Sequence, residues 1–356
     1  MAASYQVDEN GRVFTVVDEI TTRYWAVITG EATDEIFGAL NAPGFVVELV
    51  RADLATKALA NGLYAITGYP GQSFPQLSTT SYNVDYVLTA PGFRDLPLTV
   101  TVPTHAVFPV AAPASAMRRL PVRIQGRVVS GTTRLPISDA VIASVDPATP
   151  PAVHVSVLRS PLYFAHASGA TAQAVTIGIV GGAGLTGSVT GGDKMLNLSV
   201  RTGLAAGSLV RLTSAGGVLL EYGVVDHLGP GSAGAAGQVF LRHALNRSYP
   251  VVGTAVDFVD ATPTGPGGTL FGDADAGDGV LLASELFGGT VAVESGGALA
   301  EFHELGAVSD GNGYYGLDGM GRVQELFLQA TQGALQGNVD WFVEYDQPLN
   351  LVDFRL

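Results

Sequence analysis

The chain has 356 residues, a formal net charge of −14, 47% hydrophobic residues and only 14% charged residues. That balance excludes wholesale disorder, and an acidic chain without a basic cluster disfavours nucleic acid and anionic membranes as partners. Zero cysteines exclude disulfides, thiol catalysis and cysteine-type zinc sites, while 46 glycines and 19 prolines favour short strands over long helices.

The length points to two or three domains, and the composition to an all-β class. The N-terminus, MAASYQVDENGRVF, carries no basic stretch followed by an apolar run. The expectation is therefore synthesis in the cytoplasm without a signal peptide. AVTIGIVGGAGLTGSVTGG is too rich in glycine and threonine for a membrane span.

Residues 1–103 read as a first β-sandwich. TDEIFGAL reads as a short helix capped by Thr33, and FVVELVRAD as a buried strand. NVDYVLTA sets Val84, Tyr86 and Leu88 on one face, and PLTVTVP does the same with Leu98, Val100 and Val102. Pro91-Gly92 is the turn between them. Residues 104–121, rich in proline and alanine, read as an extended linker. Val122 and Ile124 then open a new strand, and LPISDAVIASVDP supplies the next.

Two internal repeats organise the rest. NGLYAITG, with Asn61, Gly62, Tyr64 and Gly68, returns as NGYYGLDG, with Asn312, Gly313, Tyr315 and Gly319. Asn-Gly tolerates positive φ and closes a tight turn, and each tyrosine is expected to pack inward with its hydroxyl at the rim. Gly30 opens the strand region of the first copy and Gly126 that of the second. The spacing from Gly126 to Asn312 exceeds that from Gly30 to Asn61 by about 155 residues, enough for a domain. The second sandwich thus reads as split, 122–149 plus 304–356, around a β-rich inserted domain, 150–303. After the motif, ELFLQA, VDWFVEY and LNLVDFRL supply strands, with Val339, Trp341, Val343 and Tyr345 alternating. Within the insertion, VRLTSAGGVLLEYGVV reads as a hairpin turning at Gly216-Gly217. LRSPLYFAHASGATA, from Leu158, resembles LRHALNRSYPVVGTAV, from Leu241.

GRVVSGTTRLPISDAVIASV, the later DGNGYYGLDG and a strand ending in QATQG together resemble the carboxypeptidase regulatory-like domain. NGLYAITG followed by VDYVLTAPGF is similar in the first unit. The resemblance covers somewhat more than half of the chain. It implies tandem prealbumin/immunoglobulin-like β-sandwiches, the second split by the insertion. Such modules occur in extracellular enzymes, in surface proteins, and in structural proteins of phage tails and tail-like contractile injection particles. A chain built of β-modules without a visible signal peptide fits the last group. The implied function is a non-enzymatic structural component of such a particle, at its baseplate or sheath-to-fibre region. Its partners would be other protein subunits, and it would form a homo-oligomer. Low charge density suits large protein contacts, whose cores are depleted in charge. The alternative is a glycan- or cell-surface-binding module, and a third reading is an enzyme with its site in the insertion.

Candidate chemistry is sparse. GAGLTG, Gly182 to Gly187, matches G-x-G-x-x-G but lacks the following helix a dinucleotide needs, so a glycine-rich β-turn is the simpler reading. DADAGDG offers Asp273, Asp275 and Asp278 to calcium, with Glu285 further on. The EF-hand template fails there, since Gly277 and Ser284 occupy ligand positions, and a solvated acidic loop explains the segment. No other cofactor is implied. The histidines, His105, His154, His166, His227, His243 and His303, form no H-E-x-x-H, and the resemblance carries no catalytic residue across. They read as loop or hydrogen-bonded core residues; Asp226-His227 with a distant serine offers a triad only as any chain of this size does. Tyr82, Tyr86, Trp341 and Tyr345 read as core before they read as a sugar-stacking platform.

Overall fold

A computed structural model describes residues 3–7, 13–17, 25–232 and 234–356. The chain is all-β, in two compact units, Met1–Leu120 and Pro121–Leu356. Among the described residues no helix is long and apolar enough to cross a membrane.

The first unit opens with an antiparallel pair, β1 (Ala3–Val7) and β2 (Val13–Val17). There follow β3 (Trp25–Asp34), β4 (Gly38–Ala39), β5 (Val46–Leu49), β6 (Leu54–Ala58), β7 (Leu63–Gly68) and a four-residue helix α1 (Pro70–Ser73). The unit closes with β8 (Tyr82–Thr89), β9 (Leu96–Val102), β10 (Val110–Ala111) and β11 (Ser115–Met117). One sheet runs β10-β3-β7-β6 and the other β5-β8-β9. Their inner faces meet in a core that includes Ile28, Ile66, Val84, Leu88 and Val100. The alternation predicted at Val84, Tyr86 and Leu88 is present, with all three buried.

Three expectations for this unit need correction. TDEIFGAL is not a helix: Thr33 pairs with Ala39 across a tight turn. Asp34 caps that turn, accepting the Ile36 and Phe37 amides at 2.9 and 3.2 Å. The strand partners of β3 claim the backbone that an eight-residue helix would need. FVVELVRAD is not buried on both faces, because Val47 points inward while Val46 is 43% exposed. Residues 104–121 are not a linker, since β10 and β11 pair in parallel with β3 and so complete the sandwich. Proline and alanine there mark an edge interrupted by bends, which composition cannot tell from a connector.

The second unit repeats this plan. Its sandwich is built from β12 (Val122–Val129) and β13 (Val141–Ser144), and the chain then leaves it for the insertion. That insertion comprises β14 (His154–Val157), β15 (Thr171–Gly184), β16 (Met195–Leu198), β17 (Leu209–Thr213), β18 (Leu220–Leu228) and β19 (Gly237–Leu241). It continues with β20 (Ala255–Pro263), β21 (Gly268–Thr269), β22 (Val280–Ala283), β23 (Thr290–Ser295) and β24 (Ala298–Glu304). The sandwich resumes with β25 (Ala307–Val308), β26 (Tyr314–Met320), β27 (Glu325–Gln332), β28 (Leu335–Phe342), β29 (Leu349–Leu351) and β30 (Phe354–Arg355). The strand β12 pairs with β26 on one side and, in parallel, with β29 and β30 on the other, as β3 does with β7, β10 and β11. The correspondence reaches single bonds: Ala112 N donates to Thr29 O at 2.8 Å, and Val352 N to Gln125 O at 2.9 Å. The insertion therefore occupies the place of the short β5–β6 connection of the first unit. β28 ends at Phe342, so Val343 and Tyr345, expected on the same strand, lie beyond it.

The repeated Asn-Gly-x-Tyr motif forms the same turn in both sandwiches. Gly62 (φ 86°) and Gly313 (φ 78°) supply the positive φ, and their carbonyls accept from Ala32 N and Val128 N at 2.9 and 2.8 Å. Gly30 and Gly126, which lie in mid-strand rather than at its start, stand opposite Tyr64 and Tyr315. A Cβ on Gly30 would lie 2.3 Å from the Tyr64 ring, so glycine there lets the ring lie across the strand. The tyrosine hydroxyls are consequently not at the rim. Tyr64 and Tyr86 share a buried hydrogen bond of 2.8 Å, and Tyr315 donates to Val352 O at 2.7 Å.

The insertion is itself a duplication with exchanged strands. The first strand of each half pairs with the third of the other, β14 with β22 and β19 with β16. The second pairs with the other's fourth, β15 with β23 and β20 with β17, while β15 and β20 lie side by side. The Leu-Arg repeats occupy equivalent loops: Leu158 N bonds Gly279 O at 2.8 Å and Leu241 N bonds Lys194 O at 2.7 Å. Neither half can bury its apolar face alone, so the exchange makes one body of two copies. The hairpin around Gly216-Gly217 forms as predicted, β17 against β18. Gly182 to Gly184 continue β15 rather than forming a turn, and no helix follows.

A buried cation holds the β18–β19 connection. Arg201, 0% exposed, donates to the carbonyls of Gly229, Pro230, Ser232, Ala235 and Gln238 at 2.7–3.4 Å. A guanidinium presents five N–H groups in a plane, and an ammonium only three at a point. Arg201→Lys is expected to cost about 3 kcal/mol, read as a shift in the denaturant midpoint of the second unit.

Candidate functional site

Two places concentrate polar chemistry, both within the second unit. The first is a buried network where the halves of the insertion meet. Glu301 and His303, two apart on β24, face the same way and are fully buried. One Glu301 oxygen bonds His166 Nε2, and the other takes His303 Nε2 at 2.9 Å and the Tyr163 amide at 2.6 Å. His303 Nδ1 faces Ser160 O at 3.0 Å, so both of its ring nitrogens meet oxygen acceptors. Burial pushes the Glu301 carboxyl up, but hydrogen bonds from His166 and His303 outweigh it and hold the pKa at about 2.

Glu221 on β18 is the counterpart in the other half. Its oxygens accept the Asn246 and Arg247 amides at 2.8 and 3.0 Å, while Tyr163 Oη donates to it at 3.1 Å. Asn246 stands in the second Leu-Arg loop where Tyr163 stands in the first. Each glutamate therefore caps the matching loop of its repeat, and burial raises the Glu221 carboxyl. The pair of glutamates is a structural device duplicated with the fold.

His243 stacks on Tyr163 at 3.7 Å, and burial lowers its pKa to about 4. Since the folded value lies below the ordinary histidine value of 6.5, the unfolded chain takes the proton first as pH falls. Stability is therefore full above pH 6.5 and declines toward about pH 4, by up to ~3 kcal/mol from this group. Thermal melts across that window should show the decline, and His243→Phe should flatten it.

The second place is a cleft of about 380 Å³ between the outer face of the β26-β12-β29 sheet and loops of the insertion. Arg123 and Arg127 on β12, Arg159 and Arg247 from the two Leu-Arg loops, and Tyr314 line it. Arg123 lies 3.4 Å from Asp318, which also pairs with Arg247. Arg127 lies 5.1 Å over the Tyr314 ring, and that ring is 54% exposed. Among the described residues the Arg159 guanidinium bonds only the carbonyls of Gly306 and Gly217, both at 3.4 Å; desolvation lowers its pKa against the opposing charge of Glu304.

His166, His243 and His303 apart, the residues singled out in the sequence stand elsewhere. Asp278 is 3% exposed, so the loop is not simply solvated. Its carboxylate accepts Asp275 N at 2.9 Å, just as Asp193 accepts Thr190 N at 2.8 Å in the matching loop. Asp273 accepts Ser168 N at 2.8 Å. Among the described residues no three His, Asp or Glu side chains are grouped to hold a metal. His154 meets Asp146 at 2.8 Å, and His227 meets Asp226 at 2.8 Å on an exposed surface. Tyr86 is buried, while Trp341 donates to Asn350 Oδ1 at 3.0 Å and Tyr345 to Val323 O at 2.6 Å, so none of the three forms an exposed platform. Sequence reasoning missed the Glu301 network. Its one local signal was the period-2 pairing of Glu301 with His303 in AEFHE.

No protein-family profile matches the chain, and no curated protein matches its sequence. Among solved structures, the crystal structure of the major pilin subunit of Bacillus cereus is similar at 9% identity, covering 92% of this chain and 98% of that one. The TM-score is 0.20, too low for the two folds to superpose, and the likeness carries no function to this chain.

Proposed function

We propose that the chain is a non-enzymatic structural protein that acts through protein–protein contacts. In finer terms it is a subunit of a phage-tail-like or contractile injection assembly. The observation that carries the coarser reading is the outer edge of the second sandwich. β28 is the last strand of its sheet, and it carries Leu335 (48% exposed) and Phe342 (61% exposed) beside an edge with no partner among the described strands. An open edge with apolar side chains is a template for another chain unless something covers it. The buried acids of the insertion support the same reading, because they are spent on capping loops. The finer reading rests on the resemblance of both sandwiches to modules found in such particles.

Affinity capture of the tagged protein from its native cells, followed by negative-stain electron microscopy and mass spectrometry, tests both levels. Tail-like particles with sheath and tube proteins co-eluting are the expected result. Stable capture of other subunits without such particles would leave the coarser reading standing and remove the finer one. A solitary monomer at low and high salt would sink both.

A further inference from the structure

We propose that the arginine-lined cleft of the second unit binds an acidic saccharide, one whose sugar rings carry carboxylates. This goes beyond the structural reading and does not depend on it.

The charge distribution is the first ground. The chain has 18 lysines and arginines against 32 acids, yet four arginines converge on this one cleft. Asp318 is shared by Arg123 and Arg247, Asp353 also lines the cleft, and Glu304 is the carboxylate that acts on Arg159. Among the described residues Arg159 makes no ion pair; its guanidinium donates two long bonds to carbonyls, and Glu304 acts on it without pairing. A desolvated guanidinium with spare N–H groups recognises a carboxylate, which it can grip with two parallel bonds.

The second ground is the internal comparison. In the first sandwich the positions matching Arg127 and Tyr314 hold Glu31 and Leu63, which pair in the same register. The scaffold does not require a cation or an aromatic ring there, so the cleft chemistry belongs to the second copy alone. Its remaining walls suit a saccharide better than an acidic peptide. Tyr314 offers a half-exposed ring to the C–H face of a pyranose. Gln125 and Asp353 add acceptors for hydroxyl groups, which a pyranose supplies at every ring and a run of acidic side chains does not. The cleft volume lies within the range of small-ligand sites.

Calorimetric titration of the full chain with oligogalacturonate and with alginate oligomers tests this. At least one is expected to bind, with affinity falling at least about tenfold when ionic strength rises from about 0.05 M to about 0.5 M. Tyr314→Ala and Arg123→Gln alter exposed side chains and should each weaken binding about tenfold without lowering the melting temperature. Arg159→Gln should weaken it further, and a lowered melting temperature there would mark misfolding, leaving the first two variants decisive. Equal binding of the methyl-esterified oligomer would overturn the reading of the carboxylate. Unchanged binding by both Tyr314→Ala and Arg123→Gln would overturn the location. Tighter binding of a short polyglutamate would replace the saccharide with an acidic peptide, and no binding of either oligomer would overturn the proposal.

Discussion

Glu301→Ala is expected to destabilise the second unit by about 3–5 kcal/mol, because it strands two buried imidazoles and a backbone amide that now share one carboxylate. His166, His303 and the Tyr163 amide all lose their acceptor, and both imidazoles lie where water does not reach. Glu301→Gln keeps the shape and one acceptor oxygen, so it should cost about half as much. The pH dependence has a defined sign. The hydrogen bonds hold the Glu301 pKa at about 2 in the folded chain, against an ordinary glutamate value of 4.5. Its contribution is therefore present above pH 4.5 and is lost as pH falls through about 2, by up to ~3 kcal/mol. Urea titrations of wild type and both variants at several pH values measure these effects. A wild-type acid slope that persists unchanged in Glu301→Ala would show that other groups carry it.

Gly126→Ala is expected to be the most damaging single methyl in the second sandwich. The added Cβ would sit 1.6 Å from Val352 O and 2.5 Å from Val352 C, and these are backbone atoms that no rotamer change can move. Relief requires β29 and β30 to withdraw from β12, which breaks the Val352 N to Gln125 O bond and the parallel pairing around it. A loss of at least about 4 kcal/mol follows, the range reserved for steric conflict in a packed core. Gly178→Ala is the control: its nearest atom is Asp260 O at 4.0 Å, and it should change stability by less than about 1 kcal/mol. Denaturant midpoints of the two variants decide the matter. Near-equal values would mean that the sheet can slide apart at little cost, against the close packing seen around Val352.

The Gly126 site also separates what local sequence carries from what it does not. The two Asn-Gly-x-Tyr motifs, with Gly30 and Gly126 upstream, were legible because such a turn and such a glycine are demanded by local geometry. The alternating residues of β8 were legible for the same reason, since side-chain period depends only on the strand. The residues 104–121 were not legible as edge strands. What makes β10 and β11 strands is a partner far back along the chain, and their composition is that of a connector. The Glu301 network was hidden more deeply. His166 and Glu301 are 135 residues apart, and they meet only because the two halves of the insertion exchange strands.

From its sequence alone the chain determines its all-β class, its turn positions, its duplications and its lack of thiol chemistry. These follow from residue identity and short-range spacing. Pairing partners, the burial of Glu221, Glu301 and Arg201, and the gathering of four arginines at one cleft are decided by tertiary structure. They depend on contacts between segments that no local period records, and on which polar groups the fold removes from water.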